Sequence, residues 1–293
     1  MRFVILGSGA IGGVVGARLH QAGHEVGLVV RGAHYRALAR DGLRLETPAE
    51  RSVLEIPVVD APDRIDWAED HVVMLATKSQ DTAGALASLA STAPPSTPVV
   101  CLQNGVDNER QALRAFAYVH GAVVVVPAVH LEPGVVVAYG THLTGVIDLG
   151  RYPSGTDRQG EEIAGALSRS SFSSRSRVEI MVSKHAKLLG NLANAVEAVC
   201  GPEADGGELG EIAGRQRGGG STWQSLARRA DSVETDYLNG EIVLIGRLAG
   251  VDTPVNELLR GLVQRMVREH RRPGWLTPRA VLEQLRERES WTA

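Results

Sequence analysis

Six residues near the amino terminus constrain this chain more than any others: Gly7-Ser8-Gly9-Ala10-Ile11-Gly12. They follow a short apolar run, Arg2–Leu6, and lead into Ile11–Gln21, whose apolar positions recur with helical period. A glycine-rich turn between a strand and a helix suits a phosphate. The first glycine permits the tight turn, the second lets a pyrophosphate approach the backbone, and the third lets the helix pack closely on the strand. The helix then offers free N–H groups and its positive dipole end to the ligand. A turn kept only for packing is the alternative, but the placement behind the first strand of an alternating pattern favours a nucleotide.

That alternation continues. Glu25–Val30 reads as strand, Ala33–Asp41 as helix, Val72–Thr77 as strand, Asp81–Leu89 as helix and Pro98–Leu102 as strand. Such a series predicts an α/β fold with a parallel sheet covered on both faces, a Rossmann-type dinucleotide-binding domain. Gly121–Leu149 is β-rich and reads as further strands completing or extending the sheet, Ser154–Arg169 reads as a polar helix, and Ser170–Arg177 as a connection. Beyond it the pattern is helical over Lys184–Cys200, Ser221–Leu248, Pro254–Arg268 and Pro278–Arg288. The expectation is a Rossmann-type domain over 1–175, followed by an all-α domain over 176–293. Gly201–Gly220, rich in glycine and charge, reads as a surface loop or a lid.

The chain's 293 residues suit two domains of about 150 residues each. A net charge of -3 argues against nucleic acid or an anionic membrane as partner. No apolar run reaches the roughly 20 residues of a membrane span. Two cysteines, Cys101 and Cys200, lie far apart without ligand spacing, which fits a reducing cytoplasm and no metal site.

The choice between NAD and NADP rests on the end of the second strand. An acid there bonds the ribose 2′-hydroxyl, whereas an arginine accommodates a 2′-phosphate. Here Arg31 follows Val29-Val30, no acid appears until Asp41, and His34 and Arg36 add donors nearby. NADPH is therefore the expected cofactor. Lys78 ends the strand Val72–Thr77, on the edge of the sheet where ligands bind, and can reach a phosphate. Asn104, in Gln103-Asn104-Gly105 after the next strand, can orient a nicotinamide or a substrate oxygen, or serve simply as a turn.

Hydride transfer to a carbonyl requires charge stabilisation and a proton donor. The stretch Lys184–Cys200 offers Lys187, Asn191 and Asn194 at helical spacing, amid leucines, alanine and valine. Lys184 competes with Lys187 for the acid role, and a solvated polar stripe is the alternative for the whole set. Ser221 and Thr222 read as the cap of a long helix that carries Glu234.

Taken in order, Gly7–Gly12, Arg31, Lys78, Gln103-Asn104-Gly105, Lys187 with Asn191, and Glu234-Thr235-Asp236-Tyr237-Leu238-Asn239-Gly240 resemble the ketopantoate reductase family. Val251–Asn256 also resembles that family's motif before its last helices. The resemblance implies NADPH held by the glycine turn (Gly7, Ser8, Gly9, Ala10, Ile11, Gly12), Arg31, Lys78, Asn104 and Ala128. It implies Lys187 as proton donor, Glu234 at the cofactor or reacting hydroxyl, and a 2-oxo acid contacted by Asn104, Asn191, Asn194, Ser221 and Thr222. It further implies an active site between the two domains and a possible homodimer. The sequence departs from the family in four places, one being the Gly201–Gly220 loop, which gives no clear match to the substrate-contacting asparagine expected there. Ala195 stands where a second asparagine is often found, with Asn194 one residue early. Thr222 replaces a serine, and the usual Gln-Asp after it is absent. Reduction of 2-dehydropantoate or a related 2-oxo acid is the expected activity. A divergent reductase of another 2-oxo or 3-oxo acid, a non-catalytic NADPH sensor and a 3-hydroxyacid or opine-type dehydrogenase remain alternatives.

Overall fold

The computed structural model describes residues 1–130, 132–201 and 219–292. The Gly201–Gly220 loop therefore lies almost wholly outside the described residues. The chain divides into two compact units, Met1–Lys187 and the part from Leu188 onward. The division falls within a helix, whereas the change in sequence pattern comes earlier. No described helix is long and apolar enough to cross a membrane.

The first unit is built on an eight-stranded sheet. At its centre β1 (Arg2–Leu6) runs parallel to β2 (Val26–Val29) on one side and to β6 (His71–Leu75) on the other. β7 (Val99–Cys101) and β8 (Val119–Val125) continue the parallel set beyond β6. β5 (Val58–Val59) closes one edge beside β2; antiparallel β11 (Gly145–Arg151) and then β12 (Phe172–Ser173) close the other. The central strands are continuous apolar runs because both faces are covered. Phe3 and Ile5 belong to one core, and Val4 and Leu6 to the other. This is the period-two alternation of a strand buried on both sides.

The glycines shape the first connection. Gly7 has φ +98°, and a Cβ there would come within 2.7 Å of Thr77 N on the neighbouring strand end. A Cβ on Gly12 would come within 2.1 Å of Gly7 O. Helix α1 (Ala10–Gln21) therefore starts tight against β1. Its other side meets a second sheet of four strands, in the order β4 (Arg51–Leu54), β3 (Leu43–Glu46), β10 (Val135–Ala138), β9 (Ala128–Val129). A Cβ on Gly13 would come within 2.6 Å of the Val136 side chain. Lying between two sheets, α1 is buried through Gly12–Ala17 and at Leu19, and its polar residues Arg18, His20 and Gln21 come only towards its end. The unit is completed by α2 (Gly32–Asp41), α3 (Thr82–Ala90), α4 (Asn108–Leu113), α5 (Arg158–Arg169) and the start of α6 (Ile180–Asn191).

The second unit is helical among its described residues: α7 (Ala193–Cys200), α8 (Ser221–Ala227), α9 (Asn239–Ala249), α10 (Pro254–Arg268) and α11 (Pro278–Thr292). Its core gathers Ala195, Val199, Leu226, Leu259 and Val263.

Two helices expected to be continuous are broken. Lys184–Cys200 divides at Leu192, where Leu192 N–H bonds Leu189 O and Ala195 N–H bonds Leu192 O. These are three-residue bonds that tighten the chain and interrupt the α-ladder. Ser221–Leu248 ends its first helix at Ala227 because Arg229 turns left-handed (φ +56°). Ala230 N–H then bonds Ser225 O, and Arg229 N–H bonds Leu226 O. This is a Schellman stop, with an arginine where glycine is usual. Helix resumes only at Asn239, after the 3-10 turn Glu234–Tyr237.

Candidate active site

The carboxyl ends of β1, β2 and β6 open onto a cleft of about 650 Å³. Gly7, Ser8, Gly9, Arg31 and Lys78 line it, which brings together half of the ten residues expected at the cofactor; Asn104 is not among the lining residues. Ala10, Ile11 and Gly12 lie just behind, at the start of α1. Arg31 is the N-cap residue of α2 and is exposed. Lys78 caps the 3-10 turn Ser79–Asp81 and is half-buried. Ala128 does not line the cleft. It is packed into the core on β9, opposite Ala138, because a small apolar residue on that strand faces inward.

Two histidines line the cleft as well. His34 is buried on the first turn of α2. Its Nδ1 accepts the Gly134 N–H at 2.8 Å, and its Nε2 lies 2.9 Å from Ser8 O. Burial pushes its pKa below the usual histidine range, against the opposing pull of the Ser8 carbonyl. His130, on the segment after β9, packs 4.3 Å from it between ring centres. Sequence reasoning noted His34 only as a nearby donor and passed over His130, since a lone histidine in a β-rich stretch carries no motif.

The cleft also has features that suit a dinucleotide. A Cβ on Gly9 would meet nothing within 4 Å, so the backbone there is open to a bulky group. The hydroxyls of Ser8 and Thr77 are buried and have no hydrogen-bond partner. Buried orphan hydroxyls are costly unless a ligand or water completes them.

Further along the same sheet edge, Asn104 follows β7 and Lys187 projects from α6. Lys187 Nζ donates to Asn104 Oδ1 at 2.5 Å, joining residues 83 apart in sequence. With its oxygen engaged, the Asn104 amide keeps its N–H groups for another acceptor. Lys184, three residues earlier on α6, is different. It is buried and pairs with the buried Glu109 of α4, with Cys101 O at 3.5 Å as a further acceptor. Enclosed in this way, its ammonium presents no donor to a ligand. Lys187, half-buried, is the more accessible of the two. Burial, and secondarily the Glu109 charge, push the nearby Cys101 thiol well above its ordinary pKa, so it is inert.

The second unit carries the remaining expected residues. Asn191 ends α6 with a buried, unpartnered Nδ2. Asn194 lies beyond the break, on α7, so it shares no unbroken helical face with Lys187 and Asn191. Ser221 and Thr222 are not caps: Gly220 holds the N-cap position and Thr222 is buried one step inside α8. Glu197, unremarked in the sequence, caps instead, taking the Gly220 N–H on both carboxylate oxygens at 3.0 and 2.9 Å. Glu234 is half-buried in the 3-10 turn. Its neighbours are structural. Asp236 accepts from Arg260 at 2.5 Å and from Gln264 at 2.6 Å, tying the turn to α10. Asn239 donates to Asn256 Oδ1 at 3.0 Å and to Leu192 O at 3.4 Å.

Residues 3–154 match the family model described as Ketopantoate reductase PanE/ApbA, and residues 209–267 match the model of its C-terminal part. The chain belongs to the ketopantoate reductase family. A 2-dehydropantoate 2-reductase of Pyrococcus horikoshii is 29% identical over 299 residues, covering 90% of this chain and 97% of that protein. One from Archaeoglobus fulgidus is 28% identical over 298 residues, with the same two coverages. Among solved structures, a PanE/ApbA family ketopantoate reductase from Ralstonia eutropha JMP134 superposes with a TM-score of 0.77 at 27% identity, covering 92% of this chain and 99% of that one. A D-mandelate dehydrogenase with NADH and anilino(oxo)acetate superposes with a TM-score of 0.79 at 21% identity, over 93% of this chain and all of that one. At that identity the likeness is one of fold. Members of the ketopantoate reductase family are oxidoreductases acting on a carbonyl, and this chain is such an oxidoreductase.

Proposed function

We propose that this ketopantoate reductase family member reduces a 2-oxo acid with NADPH, 2-dehydropantoate being the first substrate to try. The observation that carries the reading is the contact of Lys187 Nζ with Asn104 Oδ1 at the edge where the cofactor cleft opens. The full-length likeness to two proteins named 2-dehydropantoate 2-reductase supports the substrate class.

The residues fit the cofactor. The open backbone at Gly9 and the orphan hydroxyls of Ser8 and Thr77 suit a diphosphate. Exposed Arg31 and half-buried Lys78 suit a 2′-phosphate, with no acid at the end of β2 to repel it. NADPH, when bound, supplies the hydride. Lys187 protonates the oxygen of the reduced carbonyl, and Asn104 holds the ammonium in place while its N–H groups orient cofactor or substrate. Asn191, with its unpartnered buried Nδ2, supplies a donor to the substrate. Asn194 and Thr222 are assigned to substrate contacts with it, and Glu234 to the cofactor or the reacting hydroxyl.

The test is NADPH oxidation with 2-dehydropantoate beside a panel of other 2-oxo acids. Turnover on 2-dehydropantoate well above the panel supports the assignment. NADPH binding with turnover on another 2-oxo acid moves the substrate but keeps the chemistry, and absence of any turnover overturns the reading.

A further inference from the structure

We propose that His34 is a positioning residue for the dinucleotide, holding the phosphate turn through the N–H of its Nε2. The inference rests on the NADPH reading above. A ring nitrogen that accepts a hydrogen bond carries no proton. The Gly134 N–H, 2.8 Å away, fixes Nδ1 as that acceptor. The proton is therefore on Nε2, which donates to Ser8 O at 2.9 Å. Gly134 sets the tautomer, and His34 passes it to the glycine turn. Burial favours the same neutral ring.

The Ser8–Gly9 peptide is trans, so tying the Ser8 carbonyl to His34 turns the Gly9 N–H the opposite way. Gly9 has no side chain, and a Cβ on it would touch nothing within 4 Å. Together with the start of α1, His34 restrains this peptide plane. It also joins two structures that border the cleft. Gly134 belongs to the turn between β9 and β10, and His130 from the same hairpin packs against His34 and gives its Nδ1–H to Val135 O at 2.9 Å. Both histidines line the cleft.

The test separates the two ring nitrogens. In His34→Gln the amide N–H stands at the reach of Nε2; in His34→Asn the amide oxygen stands near Nδ1, and no donor reaches Ser8. Direct titration with NADPH is expected to show His34→Gln within about threefold of wild type and His34→Asn weaker by about tenfold, the factor for one hydrogen bond. Melting temperatures should fall by similar amounts in both. In turnover, the KM for NADPH should rise in His34→Asn with kcat unchanged at saturation. Asparagine binding NADPH as tightly as wild type, or both variants weakening equally, overturns the proposal. Wild-type protein that binds neither NADPH nor NADH overturns the cofactor reading and this inference together.

Discussion

Lys184 and Lys187 sit one helical turn apart on α6 and face different fates. Lys184 is enclosed with Glu109, while Lys187 reaches Asn104 at the sheet edge. Replacing Lys187 by alanine is expected to lower kcat by about 10²- to 10⁴-fold, the usual worth of a general acid, with NADPH binding intact. Steady-state rates beside a direct NADPH titration check this, and unchanged turnover would remove Lys187 from the acid role. Arg31 makes no ion pair among the described residues, so its alanine variant should weaken NADPH about tenfold or more and leave NADH nearly unaffected. Titrating both cofactors decides the point; a parallel loss of both would mean that Arg31 does not read the 2′-phosphate. Much of this was legible in the sequence, because Arg31, Lys78, Asn104 and Lys187 each stand at an element end or on a helical period. What was not legible is which partners meet across the fold. Glu109 had no motif to mark it as the mate of Lys184, and Ala128 gave no sign that it packs inward rather than toward the cleft.

At the scale of elements, the glycine turn makes two separable demands. Gly9 has φ -69°, which any residue adopts, and space around it, whereas a Cβ on Gly12 would strike Gly7 O at 2.1 Å. Gly12→Ala should therefore destabilise the protein by about 1–3 kcal/mol or more through overpacking. Gly9→Ala should leave stability within about 0.5 kcal/mol of wild type while weakening NADPH at least tenfold, since the new methyl fills the diphosphate's approach. Urea unfolding and NADPH titration of the two variants test the split, and Gly9→Ala binding NADPH normally would count against the cleft as the cofactor site. The same scale shows why the helical half was harder to read. Apolar period sets a helix's face but not its ends, and the stop after Ala227 comes from Arg229 in a conformation its side chain does not advertise. The second sheet escaped notice for a related reason. β3 and β10 are four residues each, and β10 pairs with a strand far back in the sequence.

For the molecule as a whole, two buried histidines set a pH dependence. Burial lowers the pKa of both His34 and His120, the latter despite Asp157 at 2.8 Å, from an ordinary value of 6.5. Below that value the unfolded chain takes up protons that the folded chain refuses. Their contribution is complete above pH 6.5 and declines as pH falls from there through the lower folded values. Melting temperature should drop on acidification across that window, and less steeply in His34→Gln; a flat profile would mean that these rings are not held neutral. A different consequence follows from Asp236 and Asn239. Both belong to the stretch by which the chain resembles its kin, yet both act as fasteners, one to α10 and the other to Asn256 and Leu192. Such a joint serves the fold whether or not any reaction takes place. A descendant that lost Lys187 would keep the lineage's face, and ancestry and competence would then have to be judged from different residues.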